Sequence, residues 1–359
     1  MSQLPIRDDL VGLTPYGAPQ IDVPVRLNVN ENPFAPSAEL VASITQAVKE
    51  VATSLNRYPD RDAVKLREVI ATFISGEADV ALGSQNIWPA NGSNEVMLQL
   101  LQLFGGPKRK LVTFTPTYSM YPDYCRDTFT EYVGLNRRED FSIDAELIDE
   151  ALALSPDILL FTSPNNPTGT VLDQHIIDYV LAKFSGMVII DEAYAEFRPV
   201  SQRSAIDYVL ENPRVIVTRT MSKAFSFAGV RLGYAVAHES VVDACQIVRL
   251  PYHLSSVTQA VATAAFAHSD ELLGHVELLR NERDVLAEWL MQEGFQVATS
   301  AGNFLLFGTF ADRHDVWKQL VEQGVLIRET GPAGWLRVSI GTPAENEIFR
   351  NAMLKVDLS

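Results

Sequence analysis

Between Asn86 and Ala237, short apolar, β-prone runs alternate with stretches of helical periodicity. This alternation limits what the chain can fold into more than any other feature. The runs cover residues 87–90, 111–114, 132–135, 158–161, 188–190, 215–218 and 232–236. Continuous apolar strands separated by helices suit a mostly parallel sheet that is buried on both faces. The expected fold is therefore α/β, with seven candidate strands and flanking helices in a large domain. In such sheets ligands collect at the carboxyl ends of the strands.

The flanks read differently. Residues 1–36 are rich in Pro, Asn and Gly and form an extended arm. A helix follows, with Leu40, Ile44, Val48 and Val51 at helical spacing, and a second covers 62–74. The C-terminal third carries a long amphipathic helix over 271–293 with Leu272, Val276, Leu279, Leu286 and Leu290 on one side, stopped by Gly294. Strands near 304–307, 325–328 and 335–340 and a helix near 316–321 come next. Thr342-Pro343-Ala344-Glu345 is a capping box with Pro at the first helical position. The expected division is an arm (1–36), a large domain (37–250) and a small α+β domain (251–359), onto which the first helix could return.

Charge and cysteine usage narrow the function. The formal net charge of −16 repels nucleic acid and anionic membranes, and no basic cluster offsets it. An anionic ligand must then be held by locally placed cations. Cys125 and Cys245 are far apart and read as free buried thiols, and the six histidines show no metal-binding spacing, so no metal is expected. The N-terminus lacks the apolar segment of a secretion signal, and no apolar run would span a bilayer. A soluble cytoplasmic protein is expected.

Four motifs follow strand ends. In Thr220-Met221-Ser222-Lys223, a lysine just past a buried strand can lose its hydration, which favours the neutral amine nucleophile. Arg231, eight residues on, offers a planar cation for a phosphate. Taken alone, Lys223 is better explained as a surface lysine in a loop. Asp191 closes the run Val188-Ile189-Ile190 and could hold a proton on a heterocyclic nitrogen, or simply cap a helix. Asn166 sits in the rigid turn Ser163-Pro164-Asn165-Asn166-Pro167-Thr168-Gly169, and a plain turn would look the same. Asn91-Gly92-Ser93-Asn94 opens an apolar helix, as anion-binding turns do.

In this order and spacing the motifs resemble those of the fold-type I pyridoxal-5′-phosphate enzymes, class I and II aminotransferases in particular, over nearly the whole chain. The resemblance implies that Lys223 bonds to the cofactor and later shuttles the substrate's Cα proton. It implies that Asp191 pairs with the pyridinium nitrogen and that Tyr194 and Asn166 bind the phenolic oxygen. Ser93, Asn94, Thr220, Ser222 and Arg231 would hold the phosphate, with Tyr118 stacked on the ring. Ser163 departs from the family's more frequent Asn, outside these contacts.

Further segments resemble histidinol-phosphate aminotransferase in its actinobacterial form. They are Leu13-Thr14-Pro15-Tyr16-Gly17, Val25-Arg26-Leu27-Asn28-Val29-Asn30-Glu31-Asn32-Pro33, Asn56-Arg57-Tyr58-Pro59-Asp60, Pro251-Tyr252-His253-Leu254-Ser255-Ser256, Val325-Leu326-Ile327-Arg328 and Trp335-Leu336-Arg337-Val338-Ser339. The substrates this implies are histidinol phosphate and glutamate/2-oxoglutarate. Arg337 and Arg328 would take their anionic groups, assisted by Tyr16, Tyr252 and Asn94. Tyr58 would reach the cofactor phosphate of a neighbouring subunit, which implies a homodimer. An aromatic-amino-acid (phenylalanine) aminotransferase shares the cofactor motifs. A cofactor-binding regulator would need a DNA-binding segment that the acidic chain does not provide.

Overall fold

The computed structural model describes residues 4–15, 17–78 and 80–358. Tyr16, one of the expected substrate contacts, lies outside the described residues. The arm contributes β1 (Val25–Arg26), and the helices α1 (Ala38–Ala52) and α2 (Val64–Ala78) follow. The hydroxyl of Ser37 caps α1 by accepting from the Leu40 N–H.

The seven expected strands all form. They are β2 (Ile87–Ala90), β3 (Lys110–Thr115), β4 (Glu131–Asn136), β5 (Ile158–Thr162), β6 (Met187–Asp191), β7 (Val215–Thr220) and β8 (Gly233–Ala237). They make one sheet in the order β2-β8-β7-β6-β5-β3-β4, in which β8 alone runs against the others. The helices α3 (Gly92–Phe104), α4 (Tyr121–Asp127), α5 (Ala145–Ala153) and α6 (Gln174–Lys183) connect the strands.

Alternation along each strand explains why both faces are covered. Val112, Leu159, Phe161, Val188, Ile190, Val215 and Val217 pack into one buried cluster. Their neighbours Leu111, Ile158, Leu160, Ile189 and Ile216 pack into another on the opposite face. A strand buried on both sides keeps a polar residue along its length only where it finds a partner, as Thr218 and Arg219 do within β7, so most polar residues are displaced to its ends.

Beyond the sheet come α7 (Glu239–Val248), α8 (Ser256–Phe266), α9 (Ser269–Gln292), β9 (Gln296–Val297), β10 (Phe304–Gly308), α10 (Arg313–Glu322), β11 (Val325–Leu326), β12 (Leu336–Ser339) and α11 (Pro343–Met353). The capping box at Thr342 and Glu345 is present, with both reciprocal hydrogen bonds. The 325–328 strand is shorter than its sequence suggested, and Arg328 joins Arg337 only through an isolated bridge. Strand β10 pairs with both β9 and β12. The first helix, α1, packs on α8, which also touches α2.

The arm is tied into the C-terminal part. β1 runs parallel to β11, the Leu27 N–H donates to the Leu326 carbonyl, and the Ser339 N–H donates to the Leu27 carbonyl. The residues just after β1 are thereby led across the carboxyl ends of the large sheet. No described helix is long and apolar enough to cross a membrane.

Candidate active site

A cavity of about 260 Å³ opens where β6 and β7 end, between the large sheet and the β10–β12 sheet. Its wall includes Ser93, Asn94, Tyr118, Asn166, Asp191, Tyr194, Thr220, Ser222, Lys223, Arg231, Arg328 and Arg337. Residues from five separate motifs thus converge on one space.

Lys223 lies in the turn after β7, and its Nζ donates to the Val29 carbonyl at 2.7 Å. Burial, followed by repulsion from Arg337 and Arg231, lowers its ammonium pKa to about 7 from the ordinary 10.5. A substantial share of the neutral amine is therefore available near neutral pH, as a nucleophile or a proton acceptor requires. The sequence alternative of an exposed loop lysine does not describe this position.

Asp191 ends β6, and its carboxylate is almost completely enclosed. Oδ2 accepts from the Tyr121 hydroxyl at 2.7 Å, and Oδ1 accepts from Thr218 Oγ1 at 3.1 Å and the Ala193 N–H at 3.2 Å. Burial pushes its pKa upward, and hydrogen bonds from Tyr121, Thr218 and Ala193 oppose that shift. The Ala193 contact is cap-like, but the other two donors hold the carboxylate at the cavity wall. A buried carboxylate with one side turned to a cavity can retain a proton on a ligand's ring nitrogen.

The next residue, Glu192, faces the other way. It meets the fully buried Arg219 at 2.8 Å, and Arg219 also pairs with Glu77 at 2.9 Å and Glu196 at 3.4 Å. Arg198 joins the cluster through Glu77 and Glu192. These ion pairs clamp the chain just after Asp191 and on both sides of Tyr194. Three carboxylates share two guanidinium groups, and burial raises the Glu196 pKa to about 7.

At the opposite end of the cavity the chain is shaped for an anion. Gly92 has φ of +81°, and a Cβ there would lie 2.7 Å from Arg231 Nη2. A Cβ on Gly233 would lie 2.2 Å from the Ser93 nitrogen. Both positions need glycine so that the start of α3, β8 and Arg231 can approach. The opening turn of α3 then presents unpaired N–H groups beside Arg231, with Thr220 and Ser222 hydrogen-bonded to each other at 3.0 Å. Arg231 Nη1 reaches Ser222 Oγ at 3.4 Å. A phosphate fits this cradle.

The distance from the cradle to Asp191 is bridged by Tyr118 on one side. Its hydroxyl lies 3.5 Å from Asn94 Oδ1, and its ring meets Tyr121 edge-on at 5.5 Å. The Tyr194 oxygen accepts from Asn30 Nδ2 at 2.9 Å and lies 3.5 Å from Asn166 Nδ2. Arg337 Nη1 donates to Asn166 Oδ1 at 2.5 Å, and Nη2 donates to the Asn28 carbonyl at 2.8 Å. Arg328 and Arg337 exchange backbone hydrogen bonds of 2.9 Å, so their side chains leave on the same face. Arg328 and Arg337 thus both line the cavity wall.

Tyr58 and Tyr252 do not line this cavity. They stack on each other at 4.4 Å on the surface, with Tyr58 78% exposed. Tyr121, Thr218, Asn30 and Ser339 were not anticipated as site residues. A tyrosine at the start of a short helix and a threonine within a buried strand carry no local signal that separates them from core.

The described residues contain no cluster of His, Cys, Asp and Glu able to hold a metal ion. The residues present fit pyridoxal 5′-phosphate: a near-neutral amine, a buried carboxylate and an anion cradle share one wall.

Comparison with known proteins agrees with this chemistry. Residues 22–353 match the aminotransferase class I and II family. A histidinol-phosphate aminotransferase of Thermobifida fusca is 53% identical over 99% of this chain and 96% of its own length. One from Corynebacterium glutamicum is 48% identical over 99% and 97%. The crystal structure of histidinol-phosphate aminotransferase from Sinorhizobium meliloti, in complex with pyridoxal-5′-phosphate, superimposes with a TM-score of 0.81. It covers 92% of this chain and 90% of that one at 22% identity, and so bears on the fold.

Proposed function

The chain belongs to the class I and II aminotransferases, and from that premise we propose that it is a pyridoxal-5′-phosphate-dependent transaminase of histidine biosynthesis. It interconverts L-histidinol phosphate and 2-oxoglutarate with imidazole-acetol phosphate and L-glutamate. The observation that carries the substrate assignment is the pairing of Arg328 with Arg337 on the cavity wall. A phosphate ester calls for more positive charge than a carboxylate, and guanidinium pairs bidentately with either.

When bound, the cofactor supplies a protonated pyridine ring that takes up the electron pair released at the donor's Cα. The chain's own residues do the rest. Lys223 accepts the proton from Cα and would deliver it to the cofactor's C4′ carbon in the same half-reaction. Asp191 keeps the ring nitrogen protonated, held in its charged form by Tyr121, Thr218 and the Ala193 N–H. Tyr194 and Asn166 would hold the cofactor's phenolic oxygen. Ser93, Asn94, Thr220, Ser222 and Arg231 take the phosphate. Asn94 also borders the substrate side.

Tyr58 and Tyr252 form an exposed aromatic pair outside their own chain's cavity. That placement supports a homodimer in which Tyr58 serves the cofactor phosphate of the second subunit, with Tyr252 beside it. The working compartment is the cytoplasm. Phenylalanine is the rival donor, and the relatives in T. fusca and C. glutamicum favour histidinol phosphate.

The test is a side-by-side measurement of single half-reactions with histidinol phosphate, glutamate and phenylalanine. Arg328→Gln should lower kcat/KM for histidinol phosphate about ten- to a hundredfold, as expected for a lost charged hydrogen bond, and leave phenylalanine much less affected. Equal losses on both donors would deny Arg328 a phosphate-specific role and favour the aromatic reading.

A further inference from the structure

Three consecutive residues of the arm touch three groups of the site. The Asn28 carbonyl accepts from Arg337, the Val29 carbonyl from Lys223, and the Asn30 side chain donates to Tyr194. Asn30 is 1% exposed and has φ of +56°, a conformation that side-chain-bearing residues rarely adopt. All its polar functions are engaged. Its N–H donates to Ser339 Oγ at 2.8 Å, and the Ser339 hydroxyl donates to Asn30 Oδ1 at 2.9 Å. Asn303 Nδ2 donates to the Asn30 carbonyl at 3.1 Å.

This ring of bonds fixes which way the amide points. The Asn30 N–H can only donate, so Ser339 Oγ accepts from it and sends its own proton to Oδ1. Nδ2 is left facing the phenol oxygen of Tyr194. A phenol that accepts a hydrogen bond becomes a better donor through its own O–H. The same bond ties the arm and β12 to the large sheet at Tyr194. The charged groups near this phenol include Lys223, whose Nζ is 5.9 Å from the ring, and Arg337 acting through Asn166, while Asp191 stands three residues before it at the end of β6. The Asn30 side chain itself bonds Tyr194 and Ser339 and none of these charged groups.

We propose that Asn30, oriented by Ser339, is a positioning residue that fixes the Tyr194 phenol and strengthens it as a donor to the cofactor's phenolic oxygen. The inference rests on the cofactor assignment given under the proposed function. Strengthening that donor stabilises the ionised oxygen. Removing Asn30 must therefore raise the pH at which the bound cofactor's visible absorption titrates.

The experiment uses holoenzyme and follows visible absorbance against pH. Asn30→Gly is the informative variant, because glycine accepts the positive φ without strain. Asn30→Asp is the near-isosteric partner, and its carboxylate would accept from the phenol instead of donating to it. The midpoint should rise by about half a unit to one unit in Asn30→Gly, the range of one neutral hydrogen bond. It should rise further in Asn30→Asp. Ser339→Ala, which frees the amide to rotate, should give a smaller rise in the same direction. Variants with lowered melting temperature but a wild-type midpoint would assign Asn30 to folding alone and overturn the proposal. A wild-type protein with no visible band after loading with pyridoxal 5′-phosphate would overturn the cofactor assignment itself, and this inference with it.

Discussion

Removing one oxygen atom from Tyr121 tests the electrostatics of the site at its centre. Tyr121 is 1% exposed, and its hydroxyl meets Asp191 Oδ2 at 2.7 Å and Thr162 Oγ1 at 2.8 Å. Tyr121→Phe preserves the ring and its edge-on contact with Tyr118 at 5.5 Å. Thr162 keeps Thr117 as a partner at 3.0 Å. The principal loss is therefore one donor to a buried carboxylate. Burial already raises the Asp191 pKa, and the Tyr121 bond works against that rise. Without it Asp191 takes up a proton at higher pH, and a neutral acid cannot balance a protonated pyridine ring. A hydrogen bond to a charged group is worth about 1.5–3 kcal/mol, so the dissociation constant of pyridoxal 5′-phosphate should rise about ten- to a hundredfold. The loss should deepen as pH falls, because the carboxylate is the form that binds. Equilibrium dialysis across a pH series measures both effects. Wild-type affinity at every pH would show that Tyr121 merely fills space, and the Asp191 argument would fail with it.

Other perturbations give separate readings. The depressed pKa of Lys223 means that, between about pH 7 and 10.5, the unfolded chain holds a proton that the folded chain has released. Folded apoprotein therefore gains stability as pH rises through that window, and the penalty is fully present below it. Lys223→Ala should abolish transamination, and the melting temperature of its apo form relative to wild type should fall as pH rises from about 7 to 10. A pH-independent difference would show that the amine is not strained by burial. Arg219→Leu leaves Glu77 and Glu192 with Arg198 alone and takes away the Glu196 ion pair, and breaking such a buried pair costs about 3–5 kcal/mol, read as a large drop in the denaturation midpoint. An unchanged midpoint would mean the cluster is solvated. Mixing inactive Tyr58 and Lys223 variants under subunit exchange should restore activity, up to about half per mixed dimer by symmetry, if Tyr58 serves the second subunit. Exchange without recovery would remove Tyr58 from the partner's site.

The strands and the residues at their ends were legible because the signals are local. The run Ile158–Thr162 is apolar throughout, and a segment of that kind has to be buried on both faces wherever it lies in the fold. Asp191 and Lys223 each follow such a run directly, so their placement at carboxyl ends comes from covalent adjacency. The capping box at Thr342 is equally local, with donor and acceptor three residues apart. Arg219 was not legible. It interrupts the apolar pattern of β7, and its partner Glu77 is 142 positions away.

What the sequence by itself determined is therefore the set of strands, the order of the motifs and the chemistry of each motif. Only the tertiary structure decided which residues act on one another across the cavity. Tyr121 reaches Asp191 over 70 positions, Asn30 reaches Tyr194 over 164, and Arg337 reaches Asn166 over 171. The arm's route beside β11 sets the second of those contacts, because it places Asn30 over the sheet end. Propensity and periodicity act over a few residues and decide which segments are buried. The protonation of Lys223 and the charge on Asp191 depend on burial and on neighbours a few ångströms away. Those distances exist only once the chain has packed.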